Sequence, residues 1–524
     1  MATNNTPRNA ELVEQILQQV DRRVDGAERD QLIPFVRAFF SACPTEEMQA
    51  RDPRDVYATT YQLWRFTQKL DAGTAKIRLF NPDFEQHGWQ SQRTVLAALV
   101  KNSPFVVDSI RIELNRRGIA IHNIHSAQLT VARNEEGQLQ GVQTTQSKLQ
   151  REDDRQINQE ALVFMEITRQ SDEATFADLR KEIESILNDV QAVVSSFAEM
   201  RSSATDIASN FKGDLKKRAA TVSAFEQKEI KDAAEFLGWM CDDNFTFLGY
   251  QKLEHTSQAP MAAGMGVFKT HAELYAQDIA QELQAENQSK VGAKAALLSF
   301  SKSAVRSRVH RYAYPDYVTV RVPEAKTGGI TEHRFLGLYT SKAYSAIPSA
   351  VPVWRDKVNA VEQASGLDMS SHDGKKLRQI INTFPRDEIV HSATGQLLEI
   401  IMGVWRIQER RKLRLFLRPD RFGKFMSATV YTPRDMYKTE VRARIEKILS
   451  DAFQAEDVDF TTFFSESILT RTHFVFRVNP KQAVSFDGKD LRAKVVRAAQ
   501  QWSDLLNVAL LDDLGEERGT QLAR

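Results

Sequence analysis

Two cysteines, Cys43 and Cys241, are all that 524 residues contain, and neither has metal-ligand spacing around it. Neither a disulfide framework nor a zinc site is suggested, and a reducing, cytoplasmic setting is expected. Long apolar runs are missing too. No stretch approaches eighteen uninterrupted apolar residues, and Met1 to Ala10 lacks the apolar centre of a signal peptide, so neither secretion nor a membrane span is expected. An excess of one charge is also absent: 70 basic residues stand against 69 acidic ones, a formal net charge of +1. No global field draws the chain to nucleic acid or to an anionic membrane, and neither is an expected partner.

Nucleotide signatures are lacking as well. A dinucleotide site needs a strand, G-x-G-x-x-G and a helix, because glycines let a pyrophosphate approach the backbone. The nearest string, Gly264-Met265-Gly266-Val267-Phe268-Lys269, lacks the third glycine and reads as a turn leading into a strand-like Val-Phe-Lys. No phosphate loop of the G-x-x-x-x-G-K-[ST] type occurs.

What is present is an ordinary globular balance, with 42% hydrophobic, 27% charged and 9% aromatic residues. The length exceeds what one core organises, so three or four domains are expected. Leu12, Ile16, Leu17 and Val20 recur at helical spacing, and Leu32, Phe35, Phe39 and Phe40 follow. An aromatic stripe, Tyr57, Tyr61, Trp64 and Phe66, is expected in a core. From residue 76 the texture shifts to strands: Ile77 and Leu79 alternate with charges, and Val95 to Val100 reads as a strand covered on both faces. Pro104 opens a helix carrying Val106, Val107, Ile110 and Leu114, and Gly118 stops it before a strand with Ile119, Ile121 and Ile124. A polar connection over 135–160 leads to a strand, Ala161 to Thr168, and a helix from about 174 to 200. This is a ferredoxin-like βαββα series.

Further on, a helix ending near Cys241 precedes the strand Phe245 to Leu253. A polar helical insertion lies at 271–290, and a hairpin pairs Tyr317 to Val322 with His333 to Tyr339 through a Gly328-Gly329 turn. Helices dominate 350–410, interrupted at Ser370 to Lys376 and at Pro385. Leu413, Leu415 and Leu417 alternate along a strand, Phe422-Gly423 turns the chain, and Met426 to Tyr431 is the partner. Thr432 with Pro433 signals a helix start, and Val441, Ile445, Ile448 and Leu449 mark that helix's buried face. Strands Asp457 to Phe464 and His473 to Val478 close the unit. The expected fold class is α+β, with several small ferredoxin-like or ACT-like sheet-and-helix modules and helical connecting segments. The expected divisions are a helical segment 1–72, modules at 73–212, 213–350 and 411–482, a helical connector 351–410, and a C-terminal helix within 483–524.

No constellation assembles a catalytic site, a cofactor site or a metal site. His122 and His125 would point to opposite faces of a strand, so a shared metal is not expected there. In Ser371-His372-Asp373-Gly374-Lys375, adjacent residues diverge in space, and Ser371 before a helical run reads as a cap. The basic run Arg406, Arg410, Arg411, Lys412, Arg414, Arg418, Arg421 and Lys424 is the strongest local charge feature. Straddling a helix end and an alternating strand, it reads as a solvated surface with ion pairs, able to hold an acidic partner or an anionic ligand.

Eight ordered strings carry a resemblance: Phe80-Asn81-Pro82; His87-Gly88-Trp89; Asn102-Ser103-Pro104-Phe105-Val106-Val107-Asp108-Ser109; His310-Arg311 with Tyr314 and Asp316-Tyr317; His333 to Tyr339; Ser371 to Lys375; Pro385-Arg386-Asp387-Glu388; and Gln408-Glu409-Arg410-Arg411. In this order they resemble the N-terminal part of the large bacterial NAD-specific glutamate dehydrogenases, from about residue 35 onward. The resemblance implies ACT-like modules and a PAS-like module ahead of a separate catalytic core expected beyond Arg524, with NAD bound there and none in this chain. It also implies an amino-acid effector at a module interface, and contacts with the remaining polypeptide and with other subunits of a homo-oligomer. The loop Asn102, Ser103, Pro104 and Phe105 matches the ligand loop of such modules. Phe105 stands where ligand-binding members have glycine, so its ring is expected to fill the ligand space and join the core, which favours assembly over binding. Thr432 to Tyr437 has no glycine either. Trp502, Leu505 and Val508, with Leu506 and Leu510, form an apolar helical stripe that is a candidate interface. A free-standing amino-acid sensor is the rival reading.

Overall fold

The structure is a computed structural model that describes residues 7–41, 46–144, 156–218, 223–254, 264–288, 296–323, 329–407, 410–482, 485–499 and 502–522. The chain divides into two units. The first comprises Met1–Phe197, Met265–Thr270 and Arg306–Ala313, and the second holds Ala198–Gly264, His271–Val305 and Tyr314–Arg524.

In the first unit the early apolar periodicity becomes α1 (Pro7–Arg23), α2 (Gly26–Phe39) and α3 (Pro53–Thr67). Asp52 accepts the Arg54 N–H at 2.8 Å and Pro53 takes the first helical position, a local start signal that needs no tertiary support. Strands β1 (Lys76–Phe80), β2 (Thr94–Lys101), β3 (Ile121–Arg133), β4 (Leu139–Val142) and β5 (Gln156–Ile167) form one sheet in the order β1-β2-β5-β3-β4. Every neighbouring pair is antiparallel. Because β2 and β3 both run against β5, they are parallel to each other, and α4 (Val106–Arg116) joins them. That is the split β-α-β of a ferredoxin-like module, with β1 supplying the outer strand from the N-terminal side. Val95, Ala97 and Leu99 of β2 enter a core with Phe35, Phe39, Leu63 and Trp64, while Leu96, Ala98 and Val100 are equally buried on the opposite face. Arg133 ties the helices to the sheet, donating to both Glu160 oxygens at 2.6 and 2.8 Å and to the Thr67 carbonyl at the end of α3 at 3.0 Å.

Three expectations shift here. The polar connection at 135–160 contains β4 and the start of β5, because Leu139 and Val142 bury themselves beside β3 despite their polar neighbours. The helix expected to end near 200 runs on as α5 (Glu173–Arg218), since Met200, Ala204, Ile207 and Phe211 continue the buried stripe of Leu179, Ile183, Leu187 and Val190. Its residues up to Phe197 belong to this unit. Val267–Thr270 forms a turn of helix, not the strand its Val-Phe-Lys suggests, after Gly266 takes φ of 62°.

The second unit contains α6 (Ala224–Trp239), opened by a Ser223/Glu226 capping box, then β6 (Phe245–Glu254), α7 (Ala272–Gln288), β7 (Leu298–Lys302), β8 (Asp316–Pro323) and β9 (Ile330–Tyr339). These strands lie side by side as β6-β9-β8-β7, all antiparallel. Gly328 of the expected turn lies outside the described residues. Helices α8 (Trp354–Ala364), α9 (His372–Thr383), α10 (Arg386–His391) and α11 (Thr394–Ile407) follow. Ser371 Oγ accepts the Gly374 N–H at 3.1 Å, so Ser370 to Lys376 starts a helix instead of interrupting one.

The last sheet has the order β10-β11-β13-β12, from β10 (Arg414–Pro419), β11 (Phe425–Pro433), β12 (Asp457–Phe464) and β13 (Leu469–Arg477), with α12 (Thr439–Phe453) between β11 and β12. Thr432-Pro433 does not begin a helix. Both residues pair with β13, at Thr470 and Leu469, and α12 starts only at Thr439. One sheet face packs Leu415, Ala428, Val430, Phe474 and Phe476 against Val441, Ile445 and Leu449 of α12 and against Leu491 and Val495 of α13 (Gly488–Ala499). Helix α14 (Trp502–Leu522) follows. The side chains of Trp502, Leu505 and Val508 lie outside the described residues, as does Cys43. No helix among the described residues is long and apolar enough to cross a membrane.

Candidate regulatory site

The loop Asn102–Phe105 lies between β2 and α4. The Asn102 N–H donates to the Gln159 carbonyl at 2.8 Å, extending the β2 ladder, and Ser103 Oγ turns back to the Lys101 carbonyl at 2.9 Å. Phe105 then enters α4 with φ of 72° and ψ of −2°, in the left-handed region that favours glycine. The position keeps a glycine's backbone while carrying a phenyl ring. That ring is not core. It is partly exposed, and its contact is the His310 ring at a centroid distance of 4.6 Å, so the expectation of a core-filling Phe105 is corrected. The strained backbone fixes where the ring points, and that is toward the Arg306–Ala313 segment.

His310 is itself left-handed, at φ of 69°, and the Arg311 N–H closes a three-residue turn onto the Val309 carbonyl at 2.8 Å. Its own N–H donates to Ser109 Oγ on α4 at 3.3 Å. Arg308 anchors the segment by donating to Glu182 at 2.9 Å, Ser185 at 3.0 Å and Asp189 at 2.9 Å, three residues of one α5 face. Burial, then the Arg311 charge, lowers the His310 pKa, with Asp108 opposing, so the ring is neutral at pH 7. The ligand loop is thus capped by two rings of the chain itself.

In the second unit, Asp278 and Glu282 sit four residues apart on α7 and so share a face. They meet Lys424, which donates to Asp278 at 3.0 Å and to Glu282 at 2.6 Å, and Arg334, which donates to Glu282 at 2.8 Å. Arg334 also pairs with Glu332, which Arg321 reaches at 3.3 Å. Burial opposes the Lys424 charge, yet Glu282 and Asp278 hold its pKa above the usual lysine value. Lys424 and Arg418 were expected on a solvated surface, and both are buried. Arg418 makes a bidentate pair with Glu388 at 2.8 Å on both arms.

Glu388 also accepts from Ser427 Oγ at 2.6 Å and faces His473 Nε2 at 3.1 Å. A serine, a histidine and a carboxylate suggest nucleophilic catalysis, but the roles do not fit. In a working triad the acid holds Nδ1 while Nε2 faces the serine. Here Nε2 faces both groups, and Ser427 spends its proton on the carboxylate. All three residues are buried, beside a cavity of about 10 Å³, which has no room for a substrate. Burial would raise the Glu388 carboxyl, yet Arg418 and the hydrogen bonds to it hold it well below the usual carboxylate range. The cluster is a lock between α10 and the sheet.

His125 is satisfied by the Phe39 carbonyl at 2.9 Å, and His122 is exposed. Among the described residues, no group of three or more His, Cys, Asp or Glu could hold a metal ion. Sequence reasoning missed His310 as the partner of the loop, although the string that contains it was visible. The two residues are 205 positions apart, and nothing local links them.

Three family models match the chain. They are described as glutamate dehydrogenase ACT1 domain over residues 35–183, glutamate dehydrogenase helical motif 1 over 351–410, and glutamate dehydrogenase ACT2 domain over 414–503. An NAD-specific glutamate dehydrogenase of Halomonas elongata is 36% identical over 519 residues, covering 98% of this chain and 31% of the relative. The Pseudomonas aeruginosa protein of that name is 35% identical over 509 residues, covering 94% of this chain and 30% of its own length. A Mycobacterium tuberculosis protein, also so named, is 27% identical over 427 residues, 78% of this chain and 25% of the relative. The chain therefore spans less than a third of these relatives.

Proposed function

We propose that this chain, which belongs to the family of NAD-specific glutamate dehydrogenases, is an N-terminal regulatory and assembly region of such an enzyme. The reaction of the parent polypeptide is the oxidative deamination of L-glutamate to 2-oxoglutarate and ammonium. NAD and the reacting residues lie in the part that this chain does not span. A cytoplasmic homo-oligomer is the expected setting.

The observation that carries the assembly reading is the capped loop. The Phe105 and His310 rings pack at a tilt at the entrance to α4, and three α5 side chains hold Arg308 and its segment there. A free-standing amino-acid sensor needs that loop open, so the arrangement disfavours it. Trp502, Leu505 and Val508 remain candidates for contact with the rest of the polypeptide. A PAS-like role for residues 213–350 belongs to the same proposal.

Co-expression tests it. The chain is produced together with the remainder of the Pseudomonas aeruginosa relative as a separate polypeptide. Stable copurification is expected, with glutamate-dependent NADH formation above that of the remainder alone. Separate migration with unchanged activity overturns the reading.

A further inference from the structure

A groove of about 770 Å³ lies in the second unit between α11, β10 and α13. Local spacing builds its walls. Glu399, Gly403 and Arg406 recur on one face of α11, and Arg492 and Val496 share a face of α13. Strand β10 forms the floor and is the sheet's edge, so no further strand covers it. Gly403 matters for the shape: a Cβ there would collide with the Phe416 ring, which lies directly against α11.

Charge is the second observation. Arg406, Arg410, Lys412, Arg414, Arg418 and Arg492 line the groove against the single carboxylate of Glu399. Arg418 is paired with Glu388, and the adjacent Arg411 with Asp435. The other five groove cations have no ion-pair partner among the described residues, in a chain whose overall charge is almost balanced. Like charges gathered in one concave surface repel each other and focus a positive potential that an anion relieves. Arginine suits phosphate or carboxylate because its planar fork donates two parallel hydrogen bonds. Ile400 and Leu415 supply apolar surface for a carbon skeleton, and the volume falls within the roughly 300–1,000 Å³ of small-ligand sites.

We propose that this groove binds a small polyanion, a molecule carrying two or more phosphate or carboxylate groups spaced to reach both Arg406 or Arg414 and Arg492. The groove is built wholly from residues of the second unit and does not depend on whether the loop of the first unit is open or closed.

The test is isothermal calorimetry on the full chain at low ionic strength, with inorganic pyrophosphate and, separately, tricarballylate. Saturable binding of at least one is expected, and which one binds identifies the anionic group. The triple variant Arg406→Ala/Arg414→Ala/Arg492→Ala should weaken it at least tenfold, about 1.4 kcal/mol. The control Arg442→Ala, whose guanidinium lies over Phe460 elsewhere on the module, should leave it unchanged. A measurement without substitution accompanies it: phenylglyoxal labelling read by mass spectrometry, in which the bound anion should protect Arg406, Arg414 and Arg492. Absence of saturable binding by both probes overturns the proposal. So does equal affinity in the triple variant, or labelling of the three arginines that the anion does not slow.

Discussion

Phe105 holds a left-handed backbone at φ of 72° while its ring packs at a tilt against His310. Two terms compete there. A non-glycine residue in that region costs roughly 1–2 kcal/mol, and a half-buried ring returns less than the 3–5 kcal/mol of a fully buried phenylalanine. Phe105→Ala loses the ring and keeps the strain, while Phe105→Gly loses the ring and sheds the strain. Urea unfolding should therefore place the glycine variant about 1 kcal/mol above the alanine variant. Equal midpoints would remove the strain from the account. Lys357 offers a second test. Its ammonium donates to the Ile389, Val390 and Ser392 carbonyls at 3.0, 2.6 and 3.0 Å, but burial, then the Arg418 charge, lowers its pKa to about 8. Above pH 8 the unfolded chain binds the proton more readily than the folded one, up to the free lysine value near ~10.4. Stability gained from this group therefore rises with pH across that window, with a slope no steeper than about 1.4 kcal/mol per pH unit. Subtracting the profile of Lys357→Met from that of the natural chain should leave that rise; a flat difference from pH 8 to 10 removes the shifted lysine.

At the scale of elements, α7 meets its sheet through charge instead of hydrocarbon at Asp278 and Glu282. The buried cluster balances: Lys424, Arg334 and Arg321 stand against Asp278, Glu282 and Glu332. A buried pair contributes little net stability when intact, but removing one partner leaves a desolvated charge and costs about 3–5 kcal/mol. Lys424→Met should cost that much in chemical denaturation, whereas the exposed Lys412→Met should change stability by less than about 0.5 kcal/mol. A small effect at Lys424 would mean that water reaches the carboxylates. The sequence reads Lys424 as solvated because it belongs to a basic run that straddles a helix end and an alternating strand. Its partners lie 142 and 146 residues earlier, beyond any local pattern. Thr432-Pro433 fails for a related reason. The proline start signal is local, while the ladder to Leu469 and Thr470 is not, and the ladder prevails. Patterns that are both local and periodic hold, as with the β2 run and the Ser371 cap.

Across the whole molecule, the sheet-and-helix class was legible because each strand and helix carries its own period, and the antiparallel order follows from short connections. The loop at Asn102–Phe105 was legible by resemblance. Its cover by His310 was not, since that contact depends on a distant segment folding back. The same topology bears on the cofactor. Dinucleotides bind outside the carboxyl ends of parallel strands, where a glycine turn leads into a helix N-terminus. In the three sheets here, every strand pair for which a register is described is antiparallel. Parallel relations arise only across an intervening strand, as between β2 and β3, joined by α4, and between β11 and β12, joined by α12. The purified chain should therefore show no saturable NAD binding by calorimetry and no glutamate-dependent rise in NADH absorbance. Micromolar NAD affinity retained in Phe105→Ala and in the groove triple variant would reveal a nucleotide site elsewhere in the chain and defeat the assignment of all cofactor chemistry to the rest of the polypeptide.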